Sequence, residues 1–145
     1  MNYLNYILAY YIFIFQQYII HNIQHTTEYF KTHKLKHHKT YSRVDITEIV
    51  NYNSIFENID FYFYGNLLCL LANSYIFDKN IIIFQLFLAY LSFYFHSQYH
   101  IPNSIWKNFK IFKYLKKKHT NHHIYPRTNY FLIDPIFDII FGTYK

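Results

Sequence analysis

All ten histidines of this 145-residue chain fall into four short clusters, and two of the clusters begin where a long apolar segment ends. The clusters have the spacings HxxxH, HxxxHH, HxxxH and HxxHH, and they comprise His21 and His25; His33, His37 and His38; His96 and His100; and His119, His122 and His123. Side chains three or four positions apart share one face of a helix. Neutral imidazole is a common ligand for iron, zinc and copper. The pattern predicts a histidine-rich site for two metal ions.

A single HxxxH would be weak evidence for a metal, because two solvent-exposed histidines on a helix are the ordinary alternative. Adjacent histidines preceded by a third are stronger evidence, since charged imidazoles repel one another. In HxxHH, His119 lies on the same helix face as His122 and His123, which flank it, so this trio could serve two neighbouring ions. In the second cluster, His38 is rotated away from His33. That trio therefore fits two ions only if a helix bends or ends there.

Three apolar segments carry no charge, and they cover residues 3–20, 61–77 and 81–95. A membrane-spanning helix needs about 20 apolar residues, with a lower limit of about 17. The first segment meets this length, the second is marginal and the third is short, so the last two favour a helical hairpin around the polar turn at residues 78–80. Buried helices of a soluble α protein are the alternative. We expect one all-α domain, an integral membrane protein with about three spanning or half-spanning helices.

The distribution of charge gives an orientation to this arrangement. One crossing by the first segment and two by the hairpin would place all four histidine clusters on the same side of the membrane. Of the 14 lysines and arginines, 13 lie on that side, and only Lys79 lies in the hairpin turn. Positively charged residues are enriched in cytoplasmic loops. We therefore expect a helical cap on the cytoplasmic side that carries the two-metal site.

Residues 103–118 combine aromatic and basic side chains at helical spacing. Trp106, Phe109 and Phe112 fall on one face with lysines opposite, which predicts an amphipathic helix that begins at Asn103 or Ser104. Nucleic-acid binding is one interpretation of such a segment. The flanking apolar segments instead favour a helix lying on an anionic membrane surface, and we expect no nucleic-acid partner. The polar residues 43–60 are predicted to form a second helix along the interface.

Several function classes lack their sequence signals. Carboxylate-based dimetal bundles use glutamates and an ExxH motif, whereas this chain has eight Asp and Glu and no ExxH. No nucleophile elbow or activated cysteine supports a hydrolase; Cys69, in an apolar run, is interpreted as a small buried residue. The two glycines form no phosphate-binding loop, and the spans lack the ligands that a metal transporter would need. The N-terminus has no basic region typical of a signal peptide.

The motifs, taken in order, resemble the fatty acid hydroxylase/sterol desaturase superfamily. The run HNIQHTTEYFKTHKLKHH at residues 21–38 resembles the signature H-R-x-x-H…H-K-x-H-H of that superfamily. The segment HSQYH at residues 96–100 is similar to its middle histidine motif. The C-terminal run HTNHHIYPRTNY, followed by DPIFDIIFGTY, resembles the ending HxxHH…N-Y-G…W-D-x-x-F-G-T. The resemblance covers about residues 15–144 of a single domain, residues 1–145.

Three positions depart from the family pattern. His33 stands one residue earlier than the pattern places its histidine, and Lys34 occupies that position. Phe131 replaces the glycine that follows Asn-Tyr, and Phe137 replaces the tryptophan. The departure at His33 weakens the assignment of that histidine as a ligand more than it weakens the site as a whole.

The resemblance implies a membrane-bound oxidoreductase that uses two iron ions, which zinc can replace during isolation, and dioxygen as co-substrate. Such an enzyme hydroxylates or desaturates a C–H position of a fatty acyl chain or sterol, and the sequence does not separate these two outcomes. A non-redox or degenerate zinc-binding membrane protein of the same fold is the alternative. Electrons would come from a separate cytochrome b5-like or ferredoxin-like donor with its reductase. In a eukaryotic cell, the endoplasmic reticulum membrane is the expected location.

Histidines that bind metals usually donate their second N–H to a carboxylate or a carbonyl. Glu28, Asp134, Asp138 and Asn129 are near enough in sequence to the histidine clusters to be candidates for this supporting role. All ten histidines are candidate ligands, and no catalytic residue is expected beyond them.

Overall fold

The computed structural model describes residues 3–26, 33, 37, 38, 61–101 and 103–145. Every regular element within these residues is a helix. The helices are α1 (Tyr3–Thr26), α2 (Phe61–Asn73), α3 (Lys79–Tyr99), α4 (Lys110–Ile124) and α5 (Ile136–Ile140). The expected helix of residues 43–60 lies outside the described residues.

Helix α1 is the central element of the bundle, because it packs against α2, α3 and α5. Phe13 and Ile14 of α1 meet Leu88 and Ala89 of α3 in the main apolar core. Gly65 allows α2 to approach closely, since a Cβ at that position would lie only 3.0 Å from Cγ2 of Ile20. The histidine ends of α1 and α3 therefore lie at the same end of the bundle.

The turn between α2 and α3 lies at the opposite end. Asp78 caps α3, and its carboxylate accepts hydrogen bonds from the backbone N–H groups of Asn80 and Ile81. Such a cap satisfies two of the N–H groups that have no partner within the helix. The polar turn expected between the second and third apolar segments is thus the start of α3.

The outward faces of the helices are strongly apolar. Leu4, Ile7, Leu8 and Tyr11 of α1 are each about half exposed or more, and they recur at helical spacing. Leu68 of α2 and other large apolar residues of α2 and α3 are exposed in the same way. A soluble monomer does not expose contiguous apolar faces of this extent. The surface of the bundle is suited to contact with lipid.

One helix, Lys79–Tyr99, is long and apolar enough to cross a membrane by its length and composition, within the described part of the chain. The third apolar segment looked short because α3 continues beyond it at both ends. Helix α1 has the required length, but its composition is not apolar enough to make it a candidate span. Helix α2 is a shorter apolar helix. The number of crossings therefore stays a prediction.

The amphipathic helix begins later than the sequence suggested. Helix α4 starts at Lys110, and Phe109 takes the N-terminal cap position. Ser104 donates its hydroxyl to Gln98 Oε1 at 2.7 Å, and Trp106 Nε1 donates to the hydroxyl of Tyr94 at 3.0 Å. These bonds hold residues 103–109 against the end of α3, so the start predicted at Asn103 or Ser104 was wrong. The same helix extends to Ile124 and carries the HxxHH cluster.

A cluster of amides connects the three apolar helices. Asn73 at the end of α2 exchanges two hydrogen bonds of 3.0 Å with Gln16 of α1, and it donates to Gln85 of α3 at 2.9 Å. Gln85 is fully buried and donates in turn to the carbonyl of Ala9. Side-chain amides within apolar surroundings are stable only when they are paired, so this cluster fixes how the helices align.

Replacing Asn73 with alanine is expected to destabilise the bundle by about 1–3 kcal/mol, because Gln16 and Gln85 lose their common partner. Thermal unfolding of the detergent-solubilised protein measures the loss. Asn80→Ala, in the exposed first turn of α3, is the matched control and should change the midpoint little. An equal midpoint for the two variants would show that the amide cluster does not stabilise the fold.

Cys69 is half-buried on α2 and packs beside the small apolar cluster of Ile20 and Leu132. Its replacement by serine is expected to leave product formation near the level of the unmodified chain, because the side chain contributes only packing. Product analysis of the Cys69→Ser variant measures this. A complete loss of product would show that the thiol has a chemical role.

Candidate metal centre

Eight histidines form two groups at one end of the bundle. The first group consists of His21, His25, His33 and His122, and the second group consists of His37, His100, His119 and His123. In each group, one nitrogen from every ring lies within 4.8 Å of the others, and all eight side chains are buried. Each group draws on at least three separate stretches of the chain. Four convergent imidazoles satisfy the coordination number that zinc and related ions favour in proteins.

The HxxHH cluster on α4 divides between the two groups. His122 faces the first group, where its ring centroid lies 4.6 Å from those of His21 and His25. His119 and His123 face the second group. This division follows from helix geometry, because adjacent residues point about 100° apart around the helix axis. One turn of one helix thus contributes to both candidate metal positions.

Ring nitrogens of the second group approach one another closely. His119 Nε2 lies 2.9 Å from His100 Nε2 and 3.1 Å from His123 Nε2. Ligand nitrogens about 2.0–2.1 Å from a common ion are separated by roughly 3.0–3.4 Å. The observed separations are therefore close to those of nitrogens around one ion.

His38 and His96 lie beside the two groups. The ring of His38 lies 4.4 Å from that of His123 and 5.0 Å from that of His122, so it stands between the groups. His96 is half-buried, and its Nε2 lies 3.2 Å from Nε2 of His37. All ten histidines are therefore contiguous, although two of them are outside the sets of four.

The electrostatics of the site favour neutral imidazoles. Burial lowers the pKa of His37, His119 and His122 well below the ordinary value, and the neighbouring histidines add to the effect because two nearby imidazolium charges would repel. The pKa of His38 is lowered for the same two reasons. A neutral imidazole carries the lone pair that a metal ion needs.

His122 provides the sharpest test of whether the site fits a metal. Its Nδ1 donates to the carbonyl of Thr128 at 2.7 Å, so its Nε2 carries the lone pair. That Nε2 is buried without a hydrogen-bond partner among the described residues. A buried acceptor of this kind costs free energy unless something occupies the space in front of it. The residues present therefore fit a bound ion.

His21 is oriented in the same way from the opposite side. The Nδ1 of His21 lies 2.7 Å from the carbonyl oxygen of Tyr130, to which it can donate. Tyr130 is two residues beyond Thr128, so both acceptors belong to residues 128–131, which we call the acceptor loop. Asn129 within the loop adopts φ 52°, a left-handed conformation that asparagine tolerates better than most residues.

Asp138 fixes the shape of the acceptor loop. Its carboxylate, which is fully buried, accepts the backbone N–H groups of Tyr130 and Phe131 at 2.8 and 2.9 Å. Thr143 donates its hydroxyl to the same carboxylate at 2.6 Å. Burial raises the pKa of Asp138, while these three hydrogen bonds act in the opposite direction. Asp138 therefore holds the backbone that faces the histidines.

The four candidate supporting residues have different positions. Glu28 lies outside the described residues. Asp134 accepts hydrogen bonds from the hydroxyl of Tyr10 and the N–H of Ile136, so it orders the start of α5. Asn129 accepts the N–H of Lys145. The acceptors for His21 and His122 are main-chain carbonyls, which sequence reasoning missed because every residue carries one; the suitability of asparagine for positive φ was the available signal.

The two aromatic departures from the family pattern lie beside these elements. Phe131 is buried, and its ring stacks with that of Tyr144. Phe137 contributes to the main core and packs against Phe15 of α1 at a ring distance of 5.0 Å. Both substitutions therefore supply packing around the acceptor loop and α5.

Comparison with known protein families matches residues 6–143 to the family described as fatty acid hydroxylase. The chain belongs to the fatty acid hydroxylase family. Comparisons with curated proteins and with solved structures found no match. The superfamily resemblance of the histidine motifs is thereby confirmed. Membership of this membrane-associated family, together with the buried histidine groups, indicates a hydroxylase-type metal protein.

Proposed function

We propose that this chain is a membrane-bound diiron enzyme that hydroxylates or desaturates a C–H position of a lipid with dioxygen. The observation that carries the proposal is the pair of buried four-histidine groups within a chain of the fatty acid hydroxylase family. The first and second groups would each hold one ion, with His38 and His96 as further ligands at their borders. When bound, the ions would supply the activation of dioxygen.

The overall reaction requires two electrons from outside the chain. Hydroxylation converts R–H, O2, two electrons and two protons into R–OH and water. Desaturation consumes the same oxygen, electrons and protons, removes two hydrogens from neighbouring carbons and yields two waters. We propose that a separate donor of the cytochrome b5 or ferredoxin type, with its reductase, supplies these electrons.

The protein's own part is to place the ligands and to exclude water. Nine of the ten histidines are buried, and Tyr130 closes the first group with its ring 5.6 Å from that of His21. Burial raises the pKa of Tyr130 to about 12, so its phenol stays protonated. A dry, enclosed site protects reactive species from side reactions with water.

A lipid substrate is supported by the surfaces around the site. The outward faces of α1, α2 and α3 are apolar, as expected for helices in contact with acyl chains. An apolar cavity of about 280 Å³ lies between α3 and α4, and Phe95, Trp106 and Phe112 contribute to its lining. Phe95 directly precedes His96. An acyl chain or a sterol ring would fit the chemistry of this cavity.

We further propose that the histidine end faces the cytoplasm, in the endoplasmic reticulum membrane if the cell is eukaryotic. The support is the charge distribution, because 13 of 14 lysines and arginines lie on the histidine side of the apolar segments. The same face would meet a soluble electron donor.

Product analysis with labelled oxygen tests the proposed activity. The chain would be expressed in cells supplied with ¹⁸O2, and the lipids would be examined by mass spectrometry. A lipid alcohol that carries one ¹⁸O indicates hydroxylation, whereas a product two hydrogens lighter without label indicates desaturation. The matched control is the Lys113→Ala, Lys117→Ala chain, altered on the exposed face of α4, which should give the same product as the unmodified chain.

The competing hypothesis is a zinc-binding protein of the same fold without redox activity. It predicts that the purified chain holds zinc under iron-rich expression and that no lipid changes with the oxygen supply. That combination would overturn the proposed activity, since an iron-loaded enzyme with a donor present should form an oxygen-dependent product.

A further inference from the structure

We infer that Asp138 is a positioning residue for one of the two metal positions, the one formed by the first group, and that it acts through the acceptor loop. The inference rests on the proposed metal-binding function and adds a difference between the two ions. The ion held by His21, His25, His33 and His122 depends on Asp138 for its affinity. The ion held by the second group depends on it much less.

The acceptor loop contacts two ligands of the same group from two different helices. His21 on α1 has its Nδ1 2.7 Å from the carbonyl of Tyr130, and His122 on α4 has its Nδ1 2.7 Å from the carbonyl of Thr128. A hydrogen bond at Nδ1 fixes both the ring rotation and the tautomer, and it leaves Nε2 as the ligand atom. Both bonds converge on the first group, so a shift of the loop would misalign half of its ligands.

The position of the loop is in turn set by Asp138. The carboxylate binds the N–H of Tyr130 directly, and the carbonyl that faces His21 belongs to this same residue. The route to Thr128 is indirect. Thr143 donates its hydroxyl to Asp138, and the carbonyl of Thr143 accepts the N–H of Asn129, the residue next to Thr128.

The end of α5 brings these groups together. Gly142 adopts φ 71°, which an L side chain would disfavour, and the N–H of Thr143 then reaches back to the carbonyl of Asp138 at 2.8 Å. This is the hydrogen bond of a Schellman helix end. The sequence D-I-I-F-G-T therefore returns Thr143 to the residue whose carboxylate its hydroxyl meets.

Asparagine at position 138 retains the size of the side chain but not its acceptors. The carboxylate uses Oδ1 for Tyr130 N–H and the Thr143 hydroxyl, and Oδ2 for Phe131 N–H. An amide has one oxygen and one NH2 group, so at least one backbone N–H would face another donor. The acceptor loop would have to move, and the rings of His21 and His122 would lose their alignment.

Cobalt(II) titration of the purified 145-residue chain in detergent micelles tests this inference, with visible absorption as the readout of coordination. The unmodified chain should bind two ions in two resolvable steps. His122→Ala removes a ligand from the first group alone and identifies which step belongs to it. Asp138→Asn is expected to weaken that same step by about 10- to 100-fold, the usual effect of losing support behind a metal ligand, and to change the other step by less than about threefold.

Asp134→Asn is the matched control. Asp134 is a carboxylate four residues earlier that binds Tyr10 and Ile136 instead of the acceptor loop, so both cobalt steps should stay as in the unmodified chain. If circular dichroism shows that Asp138→Asn is unfolded, the Thr143→Val variant tests the inference in its place. That variant removes one hydrogen bond to the carboxylate and should weaken the first-group step alone, by a smaller factor.

The outcomes separate the inference from the proposed function. An unmodified chain that binds no more than one cobalt ion would contradict the two-metal site itself. If the unmodified chain binds two ions and the folded position-138 variant binds both with unchanged affinity, the role of Asp138 is wrong. Equal weakening of both steps would also overturn it, because Asp138 would then support the fold in general.

Discussion

A chain in which both His122 and His123 are replaced by alanine is expected to lose both metal ions and to form no oxidised lipid product. The two residues are neighbours on α4, but His122 belongs to the first group and His123 to the second. The double substitution therefore leaves each group with three histidines and a cavity in place of the fourth. Metal analysis of the purified protein and lipid mass spectrometry measure the two losses.

The single variants make this prediction sharper. His122→Ala should impair only the first metal position, and His123→Ala only the second. Each single variant should therefore retain about one ion per chain when no excess metal is supplied. The Lys113→Ala, Lys117→Ala chain, with both changes on the exposed face of the same helix, should retain two ions and full activity. Full activity in the His122→Ala, His123→Ala chain would rule out a ligand role for both histidines.

Removal of the bound ions by a chelator is expected to lower the thermal unfolding midpoint by about 15–30 °C. An ion present at about a thousand times its dissociation constant adds roughly 4 kcal/mol to the folded state, and two ions add about twice as much. Each kcal/mol shifts the midpoint of a domain of this size by about 2–4 °C. Without ions, the lone pair of His122 Nε2 would face no hydrogen-bond partner among the described residues, which costs free energy.

Circular dichroism in detergent, with and without EDTA, measures the shift. The His122→Ala, His123→Ala chain is the internal control, since a chain without tightly bound ions should show little further change with the chelator. If EDTA strips the metal from the unmodified chain and the midpoint stays the same, the histidine groups do not couple metal binding to folding.

The all-helical architecture could be predicted from the sequence because apolar segments of sufficient length leave few alternatives. The boundaries of the helices could not be predicted in the same way. Helix α4 starts six residues after Ser104, because the bonds from Ser104 to Gln98 and from Trp106 to Tyr94 hold this segment against the end of α3. Helix α3 runs past its apolar segment at both ends, which makes it the candidate span. The start of α4 thus depends on contacts between segments, which local pattern does not encode.

The candidate site, like the fold, could be predicted from the sequence only in part. The clustering of histidines was visible because imidazole is a distinctive side chain, and the HxxHH spacing indicated that one helix could face two ions. The assignment of His33 to one group and His37 to the other depends on how the chain passes the site. The carbonyls of Thr128 and Tyr130 could not be foreseen, since a main-chain acceptor leaves no mark on residue identity. Asp138 was a candidate supporting residue from the sequence, and the loop that its carboxylate holds could not be foreseen.

The placement of His122 and His123 on consecutive residues of α4 has a mechanical consequence. If each group holds an ion, as proposed, His122 and His123 would tie the two positions to one peptide unit, so that sliding or tilting of α4 would move both positions together. Separate adjustment of the pair would require local unwinding of α4 or movement of the ligands from α1, α3 and the residues around His37. Under the proposed function, a movement of α4 would therefore displace the two positions together more readily than it would change the distance between them.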